Sequence, residues 1–254
     1  MSTQPLFDAH FHIVDPHFPL VGNQGFMPEP FTCADYLAQV RPLGVSGGAV
    51  VSGSFHGLDQ TYLPATLAAL GPGFVGVTQL PPLATDDEIR ELDRCGVRAV
   101  RFNVRRGGSA DVGDLEGVAR RIWQIARWHV EVYIESRDLE PIADVLVRLP
   151  KVSIDHLGMT KEGFPTLLRL AERGVHVKAT GFGRADFDVP KALQELARAN
   201  PDCLLFGTDL PNTRSPRPFS PADVALVRDA LGPELARKAL HDNAVAFYRP
   251  AAGR

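Results

Sequence analysis

Eight short β-branched or apolar runs, separated by segments of helical period, predict an α/β fold, a single (β/α)8 TIM-type barrel occupying one domain over residues 1–254. Two observations support it. Strand-helix alternation implies parallel strands joined by right-handed crossovers, and eight such units close most simply as a barrel of about this length. No G-x-G-x-x-G follows the first run, which weakens the doubly wound open sheet as the competing fold.

The eight candidate strands are 6–12, 47–52, 73–78, 97–103, 130–135, 152–156, 175–180 and 203–208. A helix is expected over 114–128, where Leu115, Val118, Ile122 and Ile125 form an apolar stripe opposite Arg120, Arg121 and Arg127. Another should start at Ser220, with Pro221 at its first position and Asp223 at its third. The Pro/Gly-rich stretches 16–30 and 211–221 read as long loops after strands, where barrels carry their chemistry.

A net charge of -3 supplies no overall basic field, so nucleic acid and anionic membranes are not expected partners. Cys33, Cys95 and Cys203 match no zinc or redox spacing and fit a reducing cytoplasm. No leader pattern or membrane-length apolar run is seen. Oligomeric state is not legible.

Unusual polar residues fall at predicted strand ends. His10 and His12 follow the first strand, and extended backbone puts both imidazoles on one face. Ser54 and His56 follow the second strand; Arg101, Arg105 and Arg106 the fourth; Tyr133 and Glu135 the fifth. His156, Arg184 and Asp209 follow the last three in turn. One rim of one barrel would gather them all around a single cavity. Three histidines and an aspartate can hold a divalent metal such as zinc, which polarises a carbonyl and activates water. The same groups can work without metal, Asp209 as general base and the histidines against the developing oxyanion. The arginines form a cationic wall suited to a small anionic, carboxylated substrate.

These motifs, D-A-H-F-H at 8–12, S-F-H-G at 54–57, V-R-F-N at 100–103, Y-I-E at 133–135, D-H-L-G at 155–158 and G-T-D-L-P at 207–211, carry a resemblance. The chain resembles the amidohydrolase superfamily, and within it the branch of 2-pyrone-4,6-dicarboxylate lactonase and related sugar and muconolactone lactonases. The resemblance implies a (β/α)8 barrel and opening of a lactone ester in the degradation of aromatic compounds. It implies Asp209 as general base, with His10, His12 and His156 as carbonyl-polarising or metal-binding groups. Arg101 and Arg184 would bind carboxylates, while Ser54, His56 and Tyr133 would line the ring, with Arg105 or Arg106 as a second carboxylate binder. The pyrone branch leans toward catalysis with no required metal. Zinc or another divalent metal on His10, His12, His156 and Asp209, with Glu135 as a fifth ligand, is the alternative. The chain departs from the branch at Leu210 and Asn212, where an aromatic residue and a histidine are often found, and at Gly107-Gly108 after the paired arginines.

Two other functions compete: a decarboxylase or hydratase of the same superfamily, separable by CO₂ release, and a non-catalytic binder of small anions. Positive charge around Asp209 should keep its carboxylate ionised against burial, so hydrolysis is expected to persist to mildly acidic pH.

Overall fold

A computed structural model describes residues 5–81 and 83–251, so both ends of the expected 1–254 domain lie outside the described residues. Its eight strands are β1 (Leu6–Phe11), β2 (Val45–Val51), β3 (Phe74–Thr78), β4 (Val97–Phe102), β5 (His129–Val132), β6 (Val152–Ile154), β7 (His176–Ala179) and β8 (Leu204–Phe206). They form one sheet in the order β1 to β8, with every neighbouring pair parallel. β8 returns to β1 through backbone bonds just past its end: the Asp209 N–H donates to His10 O at 2.8 Å, and the His12 N–H to Leu210 O at 2.7 Å. The two strands approach so closely that a Cβ on Gly207 would lie 2.5 Å from the His10 nitrogen, so this seam needs a glycine. The fold is thus the expected (β/α)8 barrel.

Nine helices are described: α1 (Cys33–Val40), α2 (Tyr62–Leu70), α3 (Asp86–Arg94), α4 (Leu115–Ala126), α5 (Ala143–Arg148), α6 (Phe164–Glu172), α7 (Val189–Ala199), α8 (Pro221–Arg237) and α9 (Asn243–Tyr248). The expected α4 stripe meets the barrel through fully buried Leu115 and Ile122, with Val118 and Ile125 half-buried beside them. α8 starts as its sequence requires, with the Asp223 carboxylate accepting from the Ser220 N–H at 3.2 Å.

Two apolar cores result. The larger lies between strands and helices. The smaller fills the lower barrel lumen, where Phe7, Ala9, Ala49, Val51, Val75, Val77, Ala99 and Leu205 meet Phe247 and Tyr248 of α9. α9 therefore stoppers the end of the barrel at which the strands begin, and the chemistry is left to the other end.

Candidate active site

Asp8 organises the entry to the site. Its Oδ1 accepts from the Thr208 N–H at 2.8 Å, and its Oδ2 from the Thr208 hydroxyl at 2.7 Å and the Tyr36 hydroxyl at 3.1 Å. It faces α1, while Phe7 and Ala9 face the lumen. A register shift between Asp8 and Phe11 then changes the phase of the strand, so that His10 and His12 also turn inward. The His12 Nδ1–H donates to Val51 O at 2.6 Å, leaving its Nε2 bare. His10 Nδ1 lies 3.2 Å from the Lys178 Nζ.

His156 and Asp209 each follow a strand at positive φ, 53° and 61°, an uncommon conformation for these residues and one that concentrates at functional sites. Asp209 is fully buried. Its Oδ2 accepts a fork from Arg184, Nε at 2.9 Å and Nη2 at 2.7 Å. Its Oδ1 has no hydrogen-bond partner among the described residues and stands 3.8 Å from His10 Nε2, 3.8 Å from His12 Nε2 and 4.0 Å from His156 Nε2. Burial holds all three histidines well below their usual pKa range, with neighbouring cations adding to the effect, so they are neutral near pH 7. For Asp209, burial raises the pKa above the usual aspartate value against the pull of Arg184. Desolvation thus outweighs the surrounding positive charge, the reverse of the balance expected from the sequence.

Beneath this cluster runs a buried ionic network. Arg101 donates from Nε and Nη2 to Asp155 Oδ2 at 3.1 and 2.8 Å and from Nη1 to Ser52 O at 3.1 Å. Lys178 pairs with Glu131, whose other oxygen accepts from the Tyr248 hydroxyl. Above it opens a small, narrow cavity. His12, Ser54, Arg101, Tyr133, His156, Arg184 and Asp209 line it, together with Arg106 and Arg214 at the mouth. Gln24 Oε1 bridges these last two guanidinium groups, accepting from each at 3.4 Å, and Arg214 lies over the Phe26 ring at 4.4 Å. Neither forms an ion pair with a carboxylate among the described residues.

Three residues expected at the site are engaged elsewhere. His56 accepts from the Gly53 N–H at 3.0 Å and donates to Ile13 O at 3.0 Å. It stacks on Tyr62, and burial holds its pKa at about 3; it braces the loop after β2 instead of lining the substrate ring. Glu135, expected as a fifth metal ligand, pairs with Arg105 and Arg137 and stands outside the two buried donor sets found among the described residues, His10 with His12 and Asp209 and His10 with Asp155 and His156. Arg105, expected at the substrate, is committed to Glu135 and the Tyr133 hydroxyl. Conversely, sequence reasoning passed over Asp155, Glu131, Lys178 and Arg214. Glu131 and Lys178 did leave a signal, a charge set between apolar neighbours in a short parallel strand.

The amidohydrolase family model matches residues 7–249. The chain is 30% identical to the 2-pyrone-4,6-dicarboxylate hydrolase of Comamonas testosteroni, covering 96% of this chain and 90% of that one. It is 26% identical to the 4-sulfomuconolactone hydrolase of Rhizobium radiobacter, covering 82% of this chain and 76% of that one. An apo crystal structure from Agrobacterium tumefaciens shares the fold, with a TM-score of 0.85 at 22% identity over 98% of this chain and 97% of that one. With a matching family model over nearly its whole length and the barrel-end histidine–aspartate cluster in place, this chain belongs to the amidohydrolase family.

Proposed function

We propose that this enzyme hydrolyses the ester of a lactone bearing two anionic groups, by direct attack of water activated by Asp209. The observation that carries the reading is the unpartnered Asp209 Oδ1, buried and ringed by three imidazole Nε2 atoms at 3.8–4.0 Å. A carboxylate placed so can take a proton from water, while Arg184 on Oδ2 fixes its orientation. The bare Nε2 of His12 offers a second acceptor to the same water. A neighbouring imidazole N–H polarises the carbonyl and stabilises the tetrahedral oxyanion. Collapse breaks the ring C–O bond, and protonated Asp209 returns its proton to the leaving oxygen.

The relatives named above act on a pyrone dicarboxylate and a sulfomuconolactone, both small and doubly anionic. Arg106 and Arg214, facing the cavity mouth without carboxylate partners among the described residues, suit one such group. Two sets of buried donors lie within reach of a single divalent ion, His10 with His12 and Asp209, and His10 with Asp155 and His156. Both run through His10, against whose ring the Lys178 amine lies, and Arg101 and Arg184 border the same space. Three cations around the donor set make it a poor host for a fourth, and we propose catalysis without a metal ion.

A proton-release screen of carboxylated and uncharged lactones, with and without chelator, tests this. The expected result is turnover of dianionic lactones that chelator leaves unchanged. Release of CO₂ without lactone opening would replace the reading with a lyase, and activity restored to chelated enzyme by Zn²⁺ would overturn its metal-free form.

A further inference from the structure

Lys178 is completely buried in β7, beside the catalytic cluster, yet reaches no part of the cavity lining. Its Nζ pairs with the Glu131 carboxylate, lies 3.8 Å from Asp155 Oδ1 and comes within 3.2 Å of His10 Nδ1. An ammonium has three donors and no acceptor, so the hydrogen in the contact with His10 belongs to Lys178 and the ring nitrogen must accept it. A neutral imidazole that accepts at Nδ1 carries its own proton on Nε2.

We propose that Lys178 is a positioning residue that locks His10 in the Nε2–H tautomer, so that the two histidines of the H-x-H pair are chemically opposite. His12, donating from Nδ1 to Val51 O, presents a bare Nε2 to the site; His10, accepting at Nδ1, presents an N–H. His10 is fully buried just behind the cavity lining, and its Nε2, without a hydrogen-bond partner among the described residues, lies 3.8 Å from Asp209 Oδ1, so its N–H faces the catalytic carboxylate and stays unsatisfied until an oxygen reaches it. One histidine thus holds the water and the other the oxyanion, a division that the symmetric motif does not contain. Lys178 is needed because a competitor lies close by. Asp155 Oδ1 is also buried without a hydrogen-bond partner, 3.7 Å from His10 Nδ1, and without the ammonium it would draw the His10 proton to Nδ1. Glu131, itself held by Tyr248, keeps the ammonium in place. The catalytic consequence rests on the lactonase reading above, whereas the tautomer does not.

Two-bond ¹H–¹⁵N correlation spectra of protein labelled at histidine read the tautomers directly, the His10 ring being assigned by its loss in His10→Gln. The expected wild-type spectrum has His10 protonated at Nε2 and His12 at Nδ1; His10 protonated at Nδ1 overturns the proposal. Lys178→Met combined with Glu131→Gln removes the ammonium without stranding a carboxylate. In it the His10 proton should move to Nδ1, and kcat for a lactone that the wild type hydrolyses should fall about 100-fold with KM within about threefold, as for loss of one oxyanion donor. A folded double variant that keeps the Nε2–H tautomer overturns the proposal, as does one that switches tautomer at full kcat. If that variant does not fold, the wild-type spectrum alone decides. If no lactone is turned over, the spectra still test Lys178 while the functional reading fails separately.

Discussion

Replacing Asp209 by Asn probes the chemistry with little disturbance of the architecture. The amide oxygen can keep the Arg184 fork now made to Oδ2 at 2.9 and 2.7 Å. The amide nitrogen then occupies the position of Oδ1, where the three imidazole Nε2 atoms converge. It cannot take a proton from water. General-base catalysis contributes about 10²–10⁴-fold, and with the same group also serving the leaving oxygen, the loss in kcat should lie toward the upper end. A fall of about 10³–10⁴ corresponds to roughly 4–5.5 kcal/mol of transition-state stabilisation at about 1.36 kcal/mol per decade. KM should stay within a few-fold of wild type, because the amide oxygen keeps Arg184 in place and the groups that face the substrate are unchanged. The assay is stopped-flow proton release in a weakly buffered indicator, with thermal unfolding to verify the fold. A kcat above about a tenth of wild type would refute Asp209 as the base.

Arg101→Met should unfold the protein more than it weakens binding: the change strands buried Asp155, a loss of about 3–5 kcal/mol, or roughly 6–20 °C in Tm for a chain of this size. A melting temperature within about 2 °C of wild type, with KM raised only for carboxylated lactones, would restore it to the role of substrate binder. Arg106→Met and Arg214→Met break no carboxylate pair and should raise KM for a dianionic lactone about tenfold or more at near-constant stability, sparing an uncharged lactone; equal losses on both substrates would argue against an anion subsite. On pH, Asp209 as the proposed base must be ionised, and its pKa is raised, so activity should fall as pH drops through a value above the ordinary aspartate figure of about 3.9. The histidines, held neutral, should add no limb near 6.5, and an acid limb at or below about 3.9 in kcat/KM would contradict the burial argument.

The barrel was legible because a parallel strand buried on both faces writes itself as an apolar run, and its helices as a stripe. Even the start of α8 at Ser220-Pro221 could be read from capping chemistry. Strand ends were less exact: Tyr133, His156 and Asp209 lie just past β5, β6 and β8, on turns whose dihedrals decide where each side chain points. Position near a strand end therefore located His56 and Glu135 on the rim without saying that one would turn to Ile13 O and the other to Arg105. Arg214 sits in a stretch whose composition reports only a loop, and its approach to Arg106 depends on how that loop returns over the barrel. Lys178 and Glu131 were legible in kind, as charges inside apolar strands. Their partnership was not, since it joins β5, β7 and β1 across the lumen.

The stopper helix α9 gives the molecule an order of completion. Tyr248 reaches Ala9 O, 239 residues earlier, as well as Glu131. During synthesis, the strand carrying His10 and His12 is made before the rest of the barrel yet lacks both its β8 neighbour and its lumen filling until α9 has followed. Seven strands with a complete set of histidines would still have an open seam and a hollow base. Activity should thus report completion of the whole barrel, and a chain halted before α9 should be exposed to proteases instead of working at partial rate.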